Sequence, residues 1–179
     1  LRFDQPADTL LSAFFRAHPG LGVHDRGFVA ESVYALLRRK RLLEFALTEI
    51  GVERPDVRTL ALAALVRVSG LNLREIAGGA TPEELARLEA VKGAARGSLP
   101  LAVECDLPDW VVDRVLPALG EESLRSLARA LAQPAPLDLR VNLIIADRVE
   151  VAAALAADGI QSEPTPYSPV GLRVAGKPA

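Results

Sequence analysis

Residues 133–145 read Q-P-A-P-L-D-L-R-V-N-L-I-I and mark the point at which the pattern of the sequence changes. Pro134 and Pro136 lack the backbone N–H that a helix needs, so they end the helical pattern that precedes them. Residues 139–145 are rich in branched aliphatic side chains and predict a β-strand. The stretch therefore predicts a boundary between a mainly helical region, residues 1–134, and a small mixed α and β region, residues 135–179.

The region before this boundary shows helical periodicity and helix-capping residues over most of its length. The clearest signal is T-P-E-E at residues 81–84, in which Thr81 can cap free backbone amides, Pro82 suits the first helical position and Glu84 can complete a capping box. Helices are predicted over residues 6–17, 28–51, 56–69, 81–91, 106–120 and 124–131, with a turn or cap at 24–27 and a further helical turn at 71–76.

The region after the boundary predicts a β-α-β-β order of elements. Residues 147–157 have the small apolar face of a closely packing helix, and Asp158-Gly159 predicts a turn. Residues 160–163 and 170–174 predict short strands. Because apolar residues are few, we expect this piece to be stabilised by the helical region or by sequence beyond Ala179.

The composition excludes several classes of protein. The chain has 179 residues, a formal net charge of −2 and 50% hydrophobic residues, which fit a folded domain and not a disordered tail. Its longest apolar runs, 60–66 and 151–157, are much shorter than the roughly 20 residues of a membrane-spanning helix. A single cysteine and two histidines exclude an internal disulfide and disfavour a metal site. We therefore expect a cytoplasmic protein without membrane contact or a signal peptide. The sequence has no methionine and begins at Leu1, which predicts a segment of a longer gene product.

Residues 38–41, R-R-K-R, form a basic cluster in an amphipathic helical segment. Residues 26–45 carry five basic and two acidic side chains, a local charge of +3 in a chain of net charge −2. Such a cluster attracts phosphate groups, because each neutralised phosphate releases counterions. A solvated helix face would carry the same residues, and no aromatic side chain beside the cluster is available to stack on bases. Phosphate binding and a purely structural role are both open for this cluster.

The sequence shows no self-sufficient catalytic site. Cys105 lies between Glu104 and Asp106, whose negative charges would raise the pKa of its thiol and suppress the nucleophilic thiolate. His18 and His24 flank a Pro-Gly turn and are interpreted as structural. Glycines at 78–79 and 93–97 follow helices and not strands, so they do not form a nucleotide-binding loop. Five aromatic residues have helical core spacing and are predicted to pack in the core: Phe14, Phe15, Phe28, Phe45 and Trp110.

Three motifs resemble the bacterial Sun/Fmu family of ribosomal RNA methyltransferases. Residues 25–41, D-R-G-F-V-A-E-S-V-Y-A-L-L-R-R-K-R, resemble the family's N-terminal helical domain, which is akin to the antitermination factor NusB. Residues 107–115, L-P-D-W-V-V-D-R-V, resemble the P-x-W helix that precedes the catalytic half. Residues 136–142, P-L-D-L-R-V-N, with D-G-I at 158–160, are similar to the opening of a small RNA-recognition-like subdomain.

This resemblance implies a mainly α fold, with a NusB-like helical RNA-binding domain and connecting helices over residues 1–134. Residues 135–179 would begin a small α+β subdomain that leads into a methyltransferase domain. The family forms 5-methylcytosine with S-adenosylmethionine, here expected in 16S ribosomal RNA. The cofactor loop and the Pro-Cys nucleophile motif of that domain are absent from this sequence, so it provides no catalytic or cofactor-binding residue and we expect it to be inactive alone.

The expected partners are small-subunit ribosomal RNA and the catalytic domain of the same parent chain. Arg38, Arg39 and Arg41 are the main candidates for phosphate contact, and Arg26 is a weaker one. Arg140 and Asn142 are RNA candidates by resemblance. For Arg140 the structural alternative is a pair with Asp138 or packing at the domain junction.

The sequence leaves two other functions to be considered. A NusB-like bundle can dimerise or dock a ribosomal protein through apolar grooves, in which case the basic cluster is incidental. A stand-alone enzyme would require turnover from these residues, and the sequence shows no constellation that supports it.

Overall fold

The computed structural model describes residues 4–95 and 97–176, and the chain divides into two compact units, Leu1–Ala132 and Gln133–Ala179. We call them the helical unit and the sheet unit. The predicted class, mainly α with a small β part, is confirmed. The described part of the helical unit contains α1 (Ala7–Ala17), α2 (Val23–Arg38), α3 (Lys40–Thr48), α4 (Val57–Arg67), α5 (Leu73–Ile76), α6 (Pro82–Gly93), α7 (Leu101–Glu104) and α8 (Asp109–Leu131).

The core of the helical unit is aliphatic and is built mainly by α2, α3, α4 and α6. Leu43 and Leu47 of α3 are fully buried. Burial of each such side chain stabilises the folded state by about 1.5–3 kcal/mol. A second buried cluster joins α7 to α8. The first cluster includes Leu36, Leu43, Leu47, Leu60, Leu88 and Val91, and the second consists of Ala102, Cys105, Val112, Leu124 and Ala128.

Helices that have a local capping signal begin where the sequence predicts that they begin. The Asp56 carboxylate accepts a hydrogen bond from the Thr59 amide at 2.7 Å, which caps α4. Thr81 and Glu84 form the predicted capping box of α6. Glu84 also accepts a hydrogen bond from Arg58 at 2.6 Å, and this bond, together with the one from the Thr81 amide, lowers the pKa of Glu84 to about 2.

The predicted continuous helix over residues 28–51 is wrong at both its start and its middle. Helix α2 begins at Val23, so residues 24–27 are helical and not a separate turn, and Asp25 lies in the first turn, where an acidic side chain favours the helix. Arg39, with φ −117° and ψ 18°, separates α2 from α3. The apolar periodicity continues across this break, because α2 and α3 both bury leucines in the same core.

Helix α8 is bent at Gly120, the residue at which the sequence predicts a helix end. Gly120 has φ 73° and ψ 166°, a conformation that is essentially restricted to glycine. The two predicted segments, 106–120 and 124–131, therefore correspond to the two arms of α8. The short helix α7 was not predicted.

The prediction that the aromatic side chains pack in the core is wrong for Trp110, Phe14 and Phe28. Trp110 is 70% exposed, and Phe14 and Phe28 are exposed as well. Phe15 and Phe45 are partly buried. In α8, Val112 occupies the buried position beside α7, and Trp110, two residues earlier, does not share its face of the helix.

The sheet unit has the predicted β-α-β-β order. It contains β1 (Asp138–Arg140), α9 (Arg148–Ala157), β2 (Ser162–Pro164) and β3 (Gly171–Val174). The strand order is β1-β3-β2, and both pairings are antiparallel, with Leu139 opposite Leu172 and Glu163 opposite Arg173. Leu172 and Val174 are buried, so the central strand provides the apolar face.

The first strand is shorter than predicted, because it ends at Arg140 and not at Ile145. The Asn142 side chain accepts a hydrogen bond from the Ile144 amide at 3.2 Å, and the Asn142 carbonyl accepts one from Ile145 at 3.0 Å. Such local bonds offer the backbone a turn in place of a sheet ladder. The turn leaves Ile144 95% exposed and leads to Asp147, which caps α9.

Candidate nucleic-acid interface

Two of the basic side chains predicted to contact phosphate bind the segment that leads into α8. Arg41 donates to the Leu107 carbonyl at 2.6 Å and to the Asp109 carboxylate at 2.5 Å. Arg39 Nη1 lies 2.9 Å from Asp106 Oδ2. That oxygen has no aligned hydrogen bond, so the contact with Arg39 is an ionic one. The cluster therefore links the start of α3 to residues 106–109.

Asp106 acts as the N-terminal cap of α3, although it is far away in the sequence. Arg39 precedes α3 and offers no side-chain acceptor, whereas Asp106 Oδ1 accepts from the Leu42 amide at 2.9 Å. The Asp106 side chain is only 5% exposed. Burial raises its pKa, and the Leu42 amide and Arg39 oppose that shift.

Arg38 and Lys40 each contact a side chain of their own helix. The Arg38 guanidinium lies 5.6 Å from the centre of the Tyr34 ring, and Lys40 pairs with Glu44 at 2.5 Å. Tyr34 is the aromatic neighbour that the sequence reading missed. Its spacing of four residues from Arg38, which places two side chains on one helix face, is the signal that could have found it.

Arg26 lies apart from the other basic residues. It is twelve residues before Arg38 in the same helix, about 18 Å along the axis at the usual helical rise. Its Nε donates to the Leu21 carbonyl at 2.9 Å, and its guanidinium lies 5.8 Å from the Phe15 ring. The structure thus brings Arg26 to the α1–α2 connection and not to the 38–41 cluster.

Arg140 in the sheet unit does not pair with Asp138. Asp138 accepts two hydrogen bonds from Arg173, at 2.7 and 2.8 Å, and these bonds lower the pKa of Asp138. Arg140 is exposed and contacts no side chain by a hydrogen bond or an ion pair within residues 4–95 and 97–176. The pairing of Arg140 with Asp138 is therefore contradicted.

Arg140 and Asn142 line one groove, whose other walls are Val141, Leu143, Ile144 and Val170. Arg140 also faces a second groove, which it shares with Arg173 and Tyr167. Tyr167 is 99% exposed, and an aromatic ring in this position can stack on an unpaired base. Tyr167 was not among the predicted site residues, and the signal that could have found it is a tyrosine between Pro166 and the pair Ser168-Pro169.

Cys105 has the inert character that the sequence predicts. Its side chain is buried, and burial, followed by the charge of Glu104, raises the pKa of its thiol.

Among the described residues no group of three or more histidines, cysteines and carboxylates converges as a metal site would require. Gly78 and Gly79 form a 3₁₀ turn after α5 and do not follow a strand. No described helix combines the length and apolar character of a membrane span.

Comparison with known proteins gives one family model and several relatives. Residues 107–179 match the model described as "Methyltr_RsmF/B-like, ferredoxin-like domain". The chain is 27% identical, over 98% of its length, to the probable ribosomal RNA small subunit methyltransferase B of Synechocystis sp.. It is 29% identical over 84% of its length to ribosomal RNA small subunit methyltransferase B of Xylella fastidiosa (strain Temecula1), and 27% identical over 80% to the probable enzyme of that name from Bacillus subtilis.

The chain spans less than half the length of these relatives, 46% for Synechocystis and 38% for the other two. The similarity begins in the helical unit and continues through the sheet unit, as do the three motifs at residues 25–41, 107–115 and 136–142. These similarities support the resemblance of the chain to the Sun/Fmu family of ribosomal RNA methyltransferases that the three motifs indicate.

Proposed function

We propose that this chain binds and orients RNA for an S-adenosylmethionine-dependent 16S ribosomal RNA (cytosine-5) methyltransferase of the cytoplasm. Residues 1–134 would form a NusB-like RNA-binding domain, and residues 135–179 would begin an RNA-recognition-like subdomain that leads into the catalytic domain. A methyltransferase of this kind acts on a base that is removed from its stack. Contacts to the RNA backbone outside the catalytic pocket would then position that base.

The observation that carries the proposal is the availability of Arg140. Its neighbouring carboxylate is held by Arg173 through two hydrogen bonds, so the Arg140 guanidinium can bind an external phosphate. Tyr167, on the same groove, offers a face for a base. A cation beside an exposed aromatic ring is the usual combination for single-stranded RNA.

The helical unit would add the phosphate contacts of Arg26, Arg38, Arg39 and Arg41. A guanidinium has five N–H donors, and Arg41 uses one N–H of each of its two terminal nitrogens on residues 107 and 109. Arg39 and Arg41 retain side-chain exposures of about one third. Their internal contacts therefore fix the guanidinium planes and leave donors for a phosphate oxygen.

The proposal is tested by binding of the chain to a 16S ribosomal RNA fragment at increasing salt concentration. We expect Arg140→Ala to reduce the slope of log affinity against log salt by about 0.7, the value for one phosphate contact on a single strand. Arg114→Ala, which removes an exposed arginine of α8, is the matched control and should leave the slope unchanged. Equal slopes for wild type and Arg140→Ala would remove Arg140 from the interface, and absence of binding by the wild-type chain would contradict the function.

An apolar groove favours a second candidate function, a protein-interaction or dimerisation module. The groove has a volume of about 880 Å³ and is lined largely by α1 and α2. Helix α1 contains no buried residue, so its apolar face is available to a partner. Light scattering of the chain would show a dimer, and loss of that dimer in a Phe14→Ser variant would support this function. The main apolar lining residues are Leu10, Leu11, Phe14, Val29, Val33 and Leu37.

A further inference from the structure

The turn that follows β1 exposes a group of aliphatic side chains. Ile144 and Ile145 are 95% and 81% exposed, and Leu143 and Val149 are exposed as well. A single exposed aliphatic residue is normal on a protein surface, but a run of about three is unfavourable in a folded protein unless it has a function. Large exposed apolar patches mark interaction sites. We call these four residues the aliphatic turn.

Local hydrogen bonds hold the backbone of the aliphatic turn in place. The Asn142 carbonyl accepts from the Ile145 amide at 3.0 Å, and the Asn142 side chain accepts from the Ile144 amide at 3.2 Å. At the other end of the segment, the Asp147 carboxylate accepts from the Val149 amide at 2.8 Å. Because the backbone is ordered before any partner binds, docking through these side chains costs little conformational entropy.

The chemistry of the aliphatic turn favours protein over RNA as the partner. Aliphatic side chains have no aromatic face on which a base can stack and no donor for a phosphate oxygen. Residues 143–149 include two charged side chains. Asp147 caps α9, and Arg148 Nη1 donates to the Ser168 carbonyl at 3.4 Å. Depletion of charge is typical of the centre of a protein interface.

The size of the aliphatic turn favours a domain of the same chain over a separate protein. A stable interface between separate proteins takes about 20–30 residues from each side, and the aliphatic turn offers four. A linked domain needs less contact, because a short linker gives it a millimolar effective concentration. The chain spans 46% or 38% of the length of its relatives, so more than half of each relative lies outside the matched part.

The end of β3 is close enough to the aliphatic turn for a following domain to reach it. The Val174 amide donates to the Leu137 carbonyl at 2.9 Å, so the end of β3 lies beside residue 137. Asn142 is five residues later in the sequence, which is at most about 17 Å at the rise of an extended strand. About five or six extended residues span that distance, so a short linker is sufficient.

We propose that the aliphatic turn docks onto the catalytic domain of the parent chain. This inference rests on the proposed function, which places a methyltransferase domain after residue 179. Docking fixes the sheet unit against that domain, so that RNA bound by the sheet unit is held at a defined position relative to the catalytic pocket. Arg140 lines a groove with Leu143 and Ile144, but it also faces the groove of Tyr167, where it can bind RNA while the aliphatic turn is covered.

Ile144→Cys tests the docking through the rate at which a maleimide modifies the introduced thiol. Cys105, the only cysteine in the sequence, is buried, so the new thiol dominates the reaction of the 179-residue chain. The same variant is made in the full-length parent protein, and mass spectrometry follows the peptide that contains residue 144. We expect modification there to be slower by about tenfold or more, because the minor state of such an equilibrium is populated to about 10% or less.

Two further variants make the comparison specific. Val57→Cys is the matched control, because Val57 is an exposed aliphatic residue at the start of α4. Its thiol should react at the same rate in the chain and in the parent protein. Adding Ile145→Asp to Ile144→Cys places a charge in the proposed interface. In the parent protein this double variant should react at the rate of the 179-residue chain.

Equal rates for Ile144→Cys in the chain and in the parent protein overturn the docking and leave RNA binding by the chain unaffected. Equal slowing of Ile144→Cys and Val57→Cys also overturns it, because it indicates a general loss of access. Slow modification of the 179-residue chain that becomes faster on dilution assigns the aliphatic turn to a second copy, and slowing only by added single-stranded RNA assigns it to RNA. Either result overturns the docking. A parent protein without a methyltransferase domain overturns both this inference and the proposed function.

Discussion

At the scale of single residues, Asp106 has the most consequential position. It has φ 52°, a left-handed conformation that Asp and Asn adopt more readily than most residues. From this position one carboxylate oxygen caps α3 and the other contacts Arg39. None of this follows from local sequence, because the capped helix and its cap are 64 residues apart.

We expect Asp106→Ala to destabilise the helical unit by about 1–3 kcal/mol, because it removes a helix cap and places alanine at positive φ. Asp106→Asn keeps the acceptor oxygen and tolerates the backbone conformation, so its loss should be smaller. Urea unfolding of both variants measures the difference. An Asp106→Ala variant as stable as the wild type would show that the Leu42 amide does not need this cap.

The stability of Asp106→Asn relative to the wild type should depend on pH. Burial raises the pKa of Asp106 in the folded state, so the contribution of its carboxyl to stability is largest below the ordinary aspartate pKa and falls as the pH rises through the raised value. Asn cannot ionise. The stability of Asp106→Asn relative to the wild type should therefore increase from pH 3 to pH 7, as measured by urea unfolding at each pH.

At the scale of helices and strands, the sequence predicts elements whose signals are local. Asp56, Thr81 and Asp147 each cap the helix that follows them directly, and all three starts are predictable. The prediction fails where a side chain redirects the backbone, as Asn142 does after β1, or where two helices share one apolar pattern, as at Arg39. For the site, composition indicates the basic residues, but only the fold shows that Arg39 contacts Asp106 and that Arg41 contacts Asp109.

Substitution of Gly120 tests whether the stability of α8 depends on the backbone conformation at its bend. An alanine there has no steric obstacle in space, but φ 73° with ψ 166° is a region that L side chains avoid, so we expect Gly120→Ala to cost about 1–3 kcal/mol. Gly27→Ala is the control, because Gly27 is within α2 and has open space around its Cα. It should stabilise by up to about 1 kcal/mol. Thermal unfolding should therefore give shifts of opposite sign, and equal signs would contradict this account of the bend.

At the scale of the whole molecule, each unit has its own apolar centre. Both buried clusters, those of Leu43 and Val112, lie in the helical unit, whereas the sheet unit buries Val141, Leu172 and Val174. The proline-containing stretch Gln133–Pro136 lies at the division between them. Such a stretch favours an extended chain and not a continuous helix.

We expect a fragment of residues 1–132 to fold cooperatively, because all members of both clusters are retained. A fragment of residues 133–179 is shorter than the roughly 55–65 residues at which small domains fold alone, so we expect it to be largely unfolded. Far-ultraviolet circular dichroism with urea titration of the two fragments measures this. A gradual, noncooperative transition for 1–132 would show that the helical unit depends on the remainder of the chain.

The remote cap of α3 has a consequence for biosynthesis. Asp106 is the 64th residue that the ribosome adds after Leu42, so the first turn of the nascent α3 lacks its cap throughout that interval. Any packing around Leu43 and Leu47 that precedes the synthesis of Asp106 therefore uses a helix without its N-terminal cap, and the beginning of α3 is capped only when the polypeptide reaches the segment that leads into α8.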